Sequence, residues 1–155
     1  MIQRPQTLFF LALIAIALML LFSDTVFYTV QDDQGNIIEV EYDESKLING
    51  DETTARMNNG LVYVIASSAL LALISLLSFK NRKFQASMAA FNFVAIILMI
   101  VLMYVYSFQQ DVIDAGESSM KFTVLIPLAM MLFNYMALRG VRKDEQLVRS
   151  MNRLR

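Results

Sequence analysis

Residues 61–108 read LVYVIASSALLALISLLSF (61–79), KNRK (80–83) and FQASMAAFNFVAIILMIVLMYVYSF (84–108). Two apolar runs joined by the short basic turn Lys80, Asn81, Arg82, Lys83 describe a helical hairpin that crosses a bilayer. The first run carries no charge, and its 19 residues at a helical rise of 1.5 Å reach about 28 Å, close to the hydrocarbon thickness of a membrane. The second run is also uncharged, and the strongly polar side chains in its interior half are Ser87 and Asn92. A soluble hairpin would show polar stripes at helical spacing, because one face of each helix would meet water. Neither run has one. Backbone in hydrocarbon must satisfy its own hydrogen bonds, so the runs are helices and not buried strands.

Composition narrows the chemistry. The 155 residues are 57% hydrophobic and include no cysteine, histidine or tryptophan. Disulfides, thiolate nucleophiles, cysteine and histidine metal ligands and the commonest general base are therefore all missing. The sequence holds no phosphate-binding glycine loop, nucleophile elbow or zinc-protease pair. Its eleven methionines are scattered, which suits packing better than soft-metal binding. We expect no catalysis, no cofactor and no metal site.

Outward from the hairpin, Leu8 to Phe22 forms another apolar run, preceded by Arg4 and by Pro5 at a first-turn position. It resembles a signal-peptide core, but Leu21 stands where a cleavage site wants a small residue and apolar residues continue past Asp24 to Val30. An uncleaved span is expected. Thr25 to Gln31 and Ile37 to Tyr42 are β-branched and aromatic, with Asp32, Asp33, Gln34, Gly35 and Asn36 supplying turn chemistry between them. This predicts a small β-hairpin, too small to be stable alone in water and so needing a surface to lean on. Residues 43–59 read as irregular and acidic, with Asn58, Asn59 and Gly60 as a cap for the next helix. The last span, 122–138, contains Pro127, predicting a kink, and is ended by Arg139 and Gly140. Beyond it Val141, Leu147 or Val148, Met151 and Leu154 recur at helical spacing, predicting a separate amphipathic helix.

The expected fold is an all-α membrane protein in one domain, 1–155. It is a four-helix transmembrane bundle with spans at about 6–23, 61–79, 86–108 and 122–138, outer loops 24–60 and 109–121, a small extracytoplasmic β-hairpin and a cytoplasmic C-terminal amphipathic helix over 139–155. Charge sets the orientation. Ten of the thirteen Lys and Arg residues, namely Arg4, the three in the turn and six from Arg139 onward, fall on the side of the termini and the turn, leaving Lys46, Arg56 and Lys121 opposite. The excess of Lys and Arg in short loops places both termini in the cytoplasm. Aromatic residues mark the edges: Phe9, Phe10, Phe79, Phe84, Phe133 and Tyr135 on the inner side, and Phe22, Tyr63, Tyr104, Tyr106 and Phe122 on the outer.

Asn92 and Asn134 lie within spans, where an amide needs a partner, so interhelical hydrogen bonds are expected there and at Ser67, Ser68 and Ser75. Asp24 reads as interfacial because it sits at a span's outer edge and not deep in the membrane. The outer acids Glu39, Glu41, Asp43, Glu44, Asp51 and Glu52 lack EF-hand spacing and read as a solvated loop. Lys80, Arg82, Lys83, Arg142, Lys143, Arg149, Arg153 and Arg155 form the candidate contact set for partners or for anionic lipid head groups, with nucleic acid not expected.

The opening Met1, Ile2, Gln3, Arg4, Gln6, Thr7 and the tail Val141, Arg142, Lys143, Asp144, Glu145, Leu147, Val148, Arg149, Ser150, Arg153, Leu154, Arg155 resemble the domain-of-unknown-function 4293 family of small inner-membrane proteins of the Bacteroidota. The resemblance implies a bacterial inner-membrane protein and no catalytic residues; Pro5 departs from the aliphatic residue of that pattern. The functional expectation is a non-catalytic accessory or scaffolding subunit of a larger membrane complex, touching lipid and other membrane proteins. The alternative is a small oligomeric transporter or lipid-binding protein with Asn92, Asn134 and Pro127 lining a path.

Overall fold

The computed structural model describes residues 5–31, 36–49, 52–113 and 117–153. In chain order the elements are α1 (Pro5–Phe22), β1 (Val26–Gln31), β2 (Ile37–Glu41), β3 (Glu44–Asn49), β4 (Glu52–Met57), α2 (Asn59–Leu77), α3 (Arg82–Ile113), β5 (Glu117–Met120), a 3₁₀ turn (Phe122–Leu125) and α4 (Ile126–Arg153). The four helices pack as a closed ring in which α1 touches α2 and α4, and α3 touches α2 and α4. The strands form a single antiparallel sheet in the order β4-β3-β2-β1-β5. Successive strands from β1 to β4 are neighbours; β5, which follows α3 in the chain, pairs with β1, Tyr28 opposite Met120 and Gln31 opposite Glu117.

Several polar side chains of the helices face inward. Buried positions recur every three or four residues: Gln6, Phe10, Leu13, Ala17 and Leu20 on α1, and Leu61, Ile65, Ser68, Ala72 and Ser75 on α2. On α3 they are Gln85, Ala89, Asn92, Ile96, Met99, Met103 and Ser107. The outward faces carry Leu70, Phe91, Val94 and Leu132, each more than half exposed. Water does not tolerate that much contiguous apolar surface, whereas lipid does. Among the described residues, three helical segments, Asn59–Leu77, Arg82–Gln109 and Phe122–Val148, are long and apolar enough to cross a membrane. This is a membrane protein.

Several expectations are corrected. The expected all-α four-helix bundle with only a small hairpin is overturned: the helices carry a five-stranded sheet, because backbone pairing extends the hairpin on both sides. Residues 44–49 and 52–57, expected to be irregular, are β3 and β4, paired from Glu44 opposite Met57 to Asn49 opposite Glu52. The first apolar helix, at 18 residues against 19 for α2, is the shortest of the four and is not among the three described segments long and apolar enough to cross a membrane. No separate tail helix follows residue 138: α4 is continuous from Ile126 to Arg153. Gly140 does not end a helix; a Cβ there would lie 3.2 Å from the Gln6 Cβ, so the glycine lets α1 approach α4 closely. Nor does Pro127 kink a helix. It is the second residue of α4, where its missing N–H has no intrahelical partner to lose.

The sheet leans on α3. That helix has 32 residues, about 48 Å of rise against the roughly 30 Å of hydrocarbon, so its end protrudes. It touches β1 and β2. Tyr28, Val30, Ile38 and Val40 are buried, and the register sets Tyr28 opposite Val40 and Val30 opposite Ile38 on one face.

Candidate functional site

The interior of the helical ring holds one connected set of amides and hydroxyls. Ser68 Oγ on α2 donates to Asn92 Oδ1 on α3 at 2.7 Å, Asn92 Nδ2 donates to Asn134 Oδ1 on α4 at 3.5 Å, and Asn134 Nδ2 donates to the Ala89 carbonyl at 2.9 Å. All three side chains are buried. The 3,4 spacing that places Asn92 between Ala89 and Ile96 on the inner stripe of α3 is what brings it to face α2 and α4. Each amide finds a partner within the set, as buried polar groups must. Of the sequence candidates, Asn92, Asn134 and Ser68 therefore meet. Ser67 is exposed and bonds the Val64 carbonyl of its own helix, and Ser75, although buried, bonds the Leu71 carbonyl of its own helix.

A second polar centre joins the sheet to the helices. Lys46 Nζ donates to both carboxylate oxygens of Glu41 at 2.9 Å and lies 3.1 Å from Glu44 Oε1 and 3.8 Å from Asp24 Oδ1. Glu41 is only 2% exposed. Burial raises its carboxyl above the ordinary value of 4.5 despite the opposing effect of Lys46, and the hydrogen bond to Glu41 raises the Lys46 ammonium. The ammonium thus occupies the space among three acids, Glu41, Glu44 and Asp24. Asn58, expected as a helix cap, makes no side-chain cap; its Nδ2 donates to the Glu41 carbonyl and its Oδ1 accepts from Ser45. Tyr42 stacks at a tilt on Phe27, 4.9 Å between centroids, and its hydroxyl donates to the Thr123 carbonyl. Burial raises that phenol as well.

The basic end is a clasp. Arg82 Nη1 donates to the Asp144 carbonyl at 2.5 Å, and Gln6 Nε2 donates to Asp144 Oδ2 at 3.3 Å, so the α2–α3 turn, α4 and the start of α1 meet at one level. Lys80, Lys83, Arg142 and Lys143 are exposed around it. The backbones of Arg149 and Arg153 continue α4, whereas their side chains, together with all of Arg155 and Arg4, lie outside the described residues. Sequence reasoning gave Gln6, Asp144 and Lys46 no part in a site, read Gly140 as a helix end, and read Glu41 as part of a solvated loop although it is buried. The alternation of Ile38, Val40 and Tyr42 with Glu39 and Glu41 puts Glu41 on the polar face, so its burial had no signal in the sequence.

At the opposite end, Phe22 and Phe122 are 85% and 86% exposed, with Tyr63 and Tyr104 also outward. This is the aromatic edge of a membrane-embedded ring of helices. No curated protein matches the chain. The family described as a domain of unknown function (DUF4293) matches residues 2–154, and the chain belongs to that family.

Proposed function

We propose that the chain is a multi-pass protein of the bacterial inner membrane, with both termini and the Lys80–Lys83 turn in the cytoplasm and the sheet outside, acting by contact as a non-catalytic accessory or scaffolding subunit. The observation that carries the contact role is an open edge of the sheet: β4 is exposed along its whole length and, among the described residues, has a strand neighbour, β3, on one side only. Open edges offer unpaired N–H and C=O groups to an incoming strand. The central polar set supports the same reading, because Ser68, Asn92 and Asn134 spend their hydrogen bonds on one another and on Ala89. Such bonds hold helices together.

The orientation draws on charge, since Lys80, Arg82, Lys83, Arg139, Arg142 and Lys143 gather at the end away from the sheet. Helix α1 reaches that same end at Gln6, beside Gly140 and Asp144, and leads into β1 at the other. This supports a crossing by α1 alongside α2, α3 and α4. The deciding experiment is the native size of the tagged chain extracted from its own membranes in mild detergent, with co-purifying proteins identified by mass spectrometry. A stoichiometric set of larger membrane proteins is the expected result; migration alone or as a homo-oligomer would defeat the accessory role.

A further inference from the structure

We infer that the clasp at the basic end binds the head group of an anionic phospholipid, seated between the first turn of α3 and the flank of α4. Arg82 fixes the α2–α3 turn against α4 through the Asp144 carbonyl, so cations distant in sequence share one level. Helical geometry sorts them by direction. Gly140 faces Gln6 of α1, and Arg142 is two residues on, about 200° around the helix, which turns it to the α3 side. Tyr135, seven residues before Arg142 and half exposed, lies on that same flank nearer the membrane centre.

The N-terminus of α3 faces this flank. Asn81 Oδ1 accepts from the Phe84 N–H and the Asn81 carbonyl accepts from the Gln85 N–H, and the partial positive charge of the helix start adds to exposed Lys83 and Lys80. Exposed Leu132 on α4 continues from the cations into the apolar outer surface. A ligand that fits has a phosphate at one end and hydrocarbon at the other. A soluble anion would use the cations and leave the apolar flank unused, so a lipid is the better match. The proposal rests on the membrane reading of the helical ring and not on the accessory role, so the native-size experiment and the one below fail separately.

The test uses the full chain in zwitterionic detergent, titrated with phosphatidylglycerol, phosphatidylcholine or glycerol phosphate, with retained ligand read by native mass spectrometry. Phosphatidylglycerol is expected to bind saturably and the other two not. The double variant Lys83→Gln, Arg142→Gln is expected to weaken binding roughly thirtyfold. A matched double variant at the sheet end, Arg56→Gln, Lys121→Gln, changes net charge equally and is expected to leave binding unchanged. Equal loss in both double variants would reduce the effect to general electrostatics, no loss in the first would place the lipid elsewhere, and binding of glycerol phosphate as tight as that of the lipid would make the ligand a soluble anion. Each of these results overturns the proposal.

Discussion

Lys46 and Glu41 show why the two halves of an ion pair respond unequally to mutation. Glu41 is almost wholly buried, while the Lys46 side chain keeps 22% of its surface and reaches Glu44 and Asp24 as well. Removing the cation in Lys46→Met strands a buried carboxylate, at about 3 kcal/mol, the low end of the cost of breaking such a pair. Removing the acid in Glu41→Gln leaves Lys46 with water and Glu44, and should cost about 1 kcal/mol or less. Denaturation of the detergent-solubilised protein distinguishes the two. The pH response follows from the raised carboxyl of Glu41. The folded protein holds this proton more tightly than the unfolded chain, so the group's contribution is full below pH 4.5 and declines as pH rises through the raised value. That decline should be absent from Glu41→Gln. Among the buried amides, Ser68→Ala should cost about 0.6 kcal/mol, the usual worth of an interhelical hydrogen bond in a membrane, and Ser67→Ala next to nothing, because its hydroxyl bonds only its own helix.

Gly140 separates two accounts of α4. Had it ended the last span, as the onset of charge at Arg139 suggests in the sequence, Gly140→Ala would act on a helix cap. Placed inside a continuous helix and against Gln6, Gly140→Ala should be near neutral, with about 1 kcal/mol of helix propensity gained against the shift forced on Gln6. Gly140→Leu should push α1 away and cost about 1–3 kcal/mol by overpacking. Thermal melts of the two variants, read against helicity, check both. The same element shows where sequence and fold part. The α2–α3 hairpin and the β1–β2 pair were legible because each announces itself through local periodicity. The strands β4 and β5 were not, since every residue in them is exposed and a strand without a buried face has no alternation to read. Their pairing is supplied by backbone groups of β3 and β1, which no local pattern records. Likewise Asn92 and Asn134 could be recognised as needing partners, but Ser68, and not its neighbour Ser67, became one through the phase of α2, which is visible only once the helices are assembled.

The whole molecule is polarised along one axis, sheet and exposed aromatics at one end, cations and the Asp144 clasp at the other. That polarity makes the threading testable with unusual cleanliness, because the natural chain contains no cysteine and any single engineered thiol is the only one to react. Thr54→Cys places a thiol on exposed β4, and Gln146→Cys places one on the exposed face of α4 past the clasp. If the sheet is outside, a membrane-impermeant maleimide added to intact cells should label the first and spare the second until the membrane is permeabilised. Neither site touches the buried polar set or the Glu41–Lys46 pair, so folding should be preserved in both and the labelling difference should report side alone. Labelling of Gln146→Cys in intact cells with Thr54→Cys protected would invert the molecule. It would also move the cationic clasp to the outer leaflet, where the charge bias that orients short loops would have been overridden by the folding of the sheet itself.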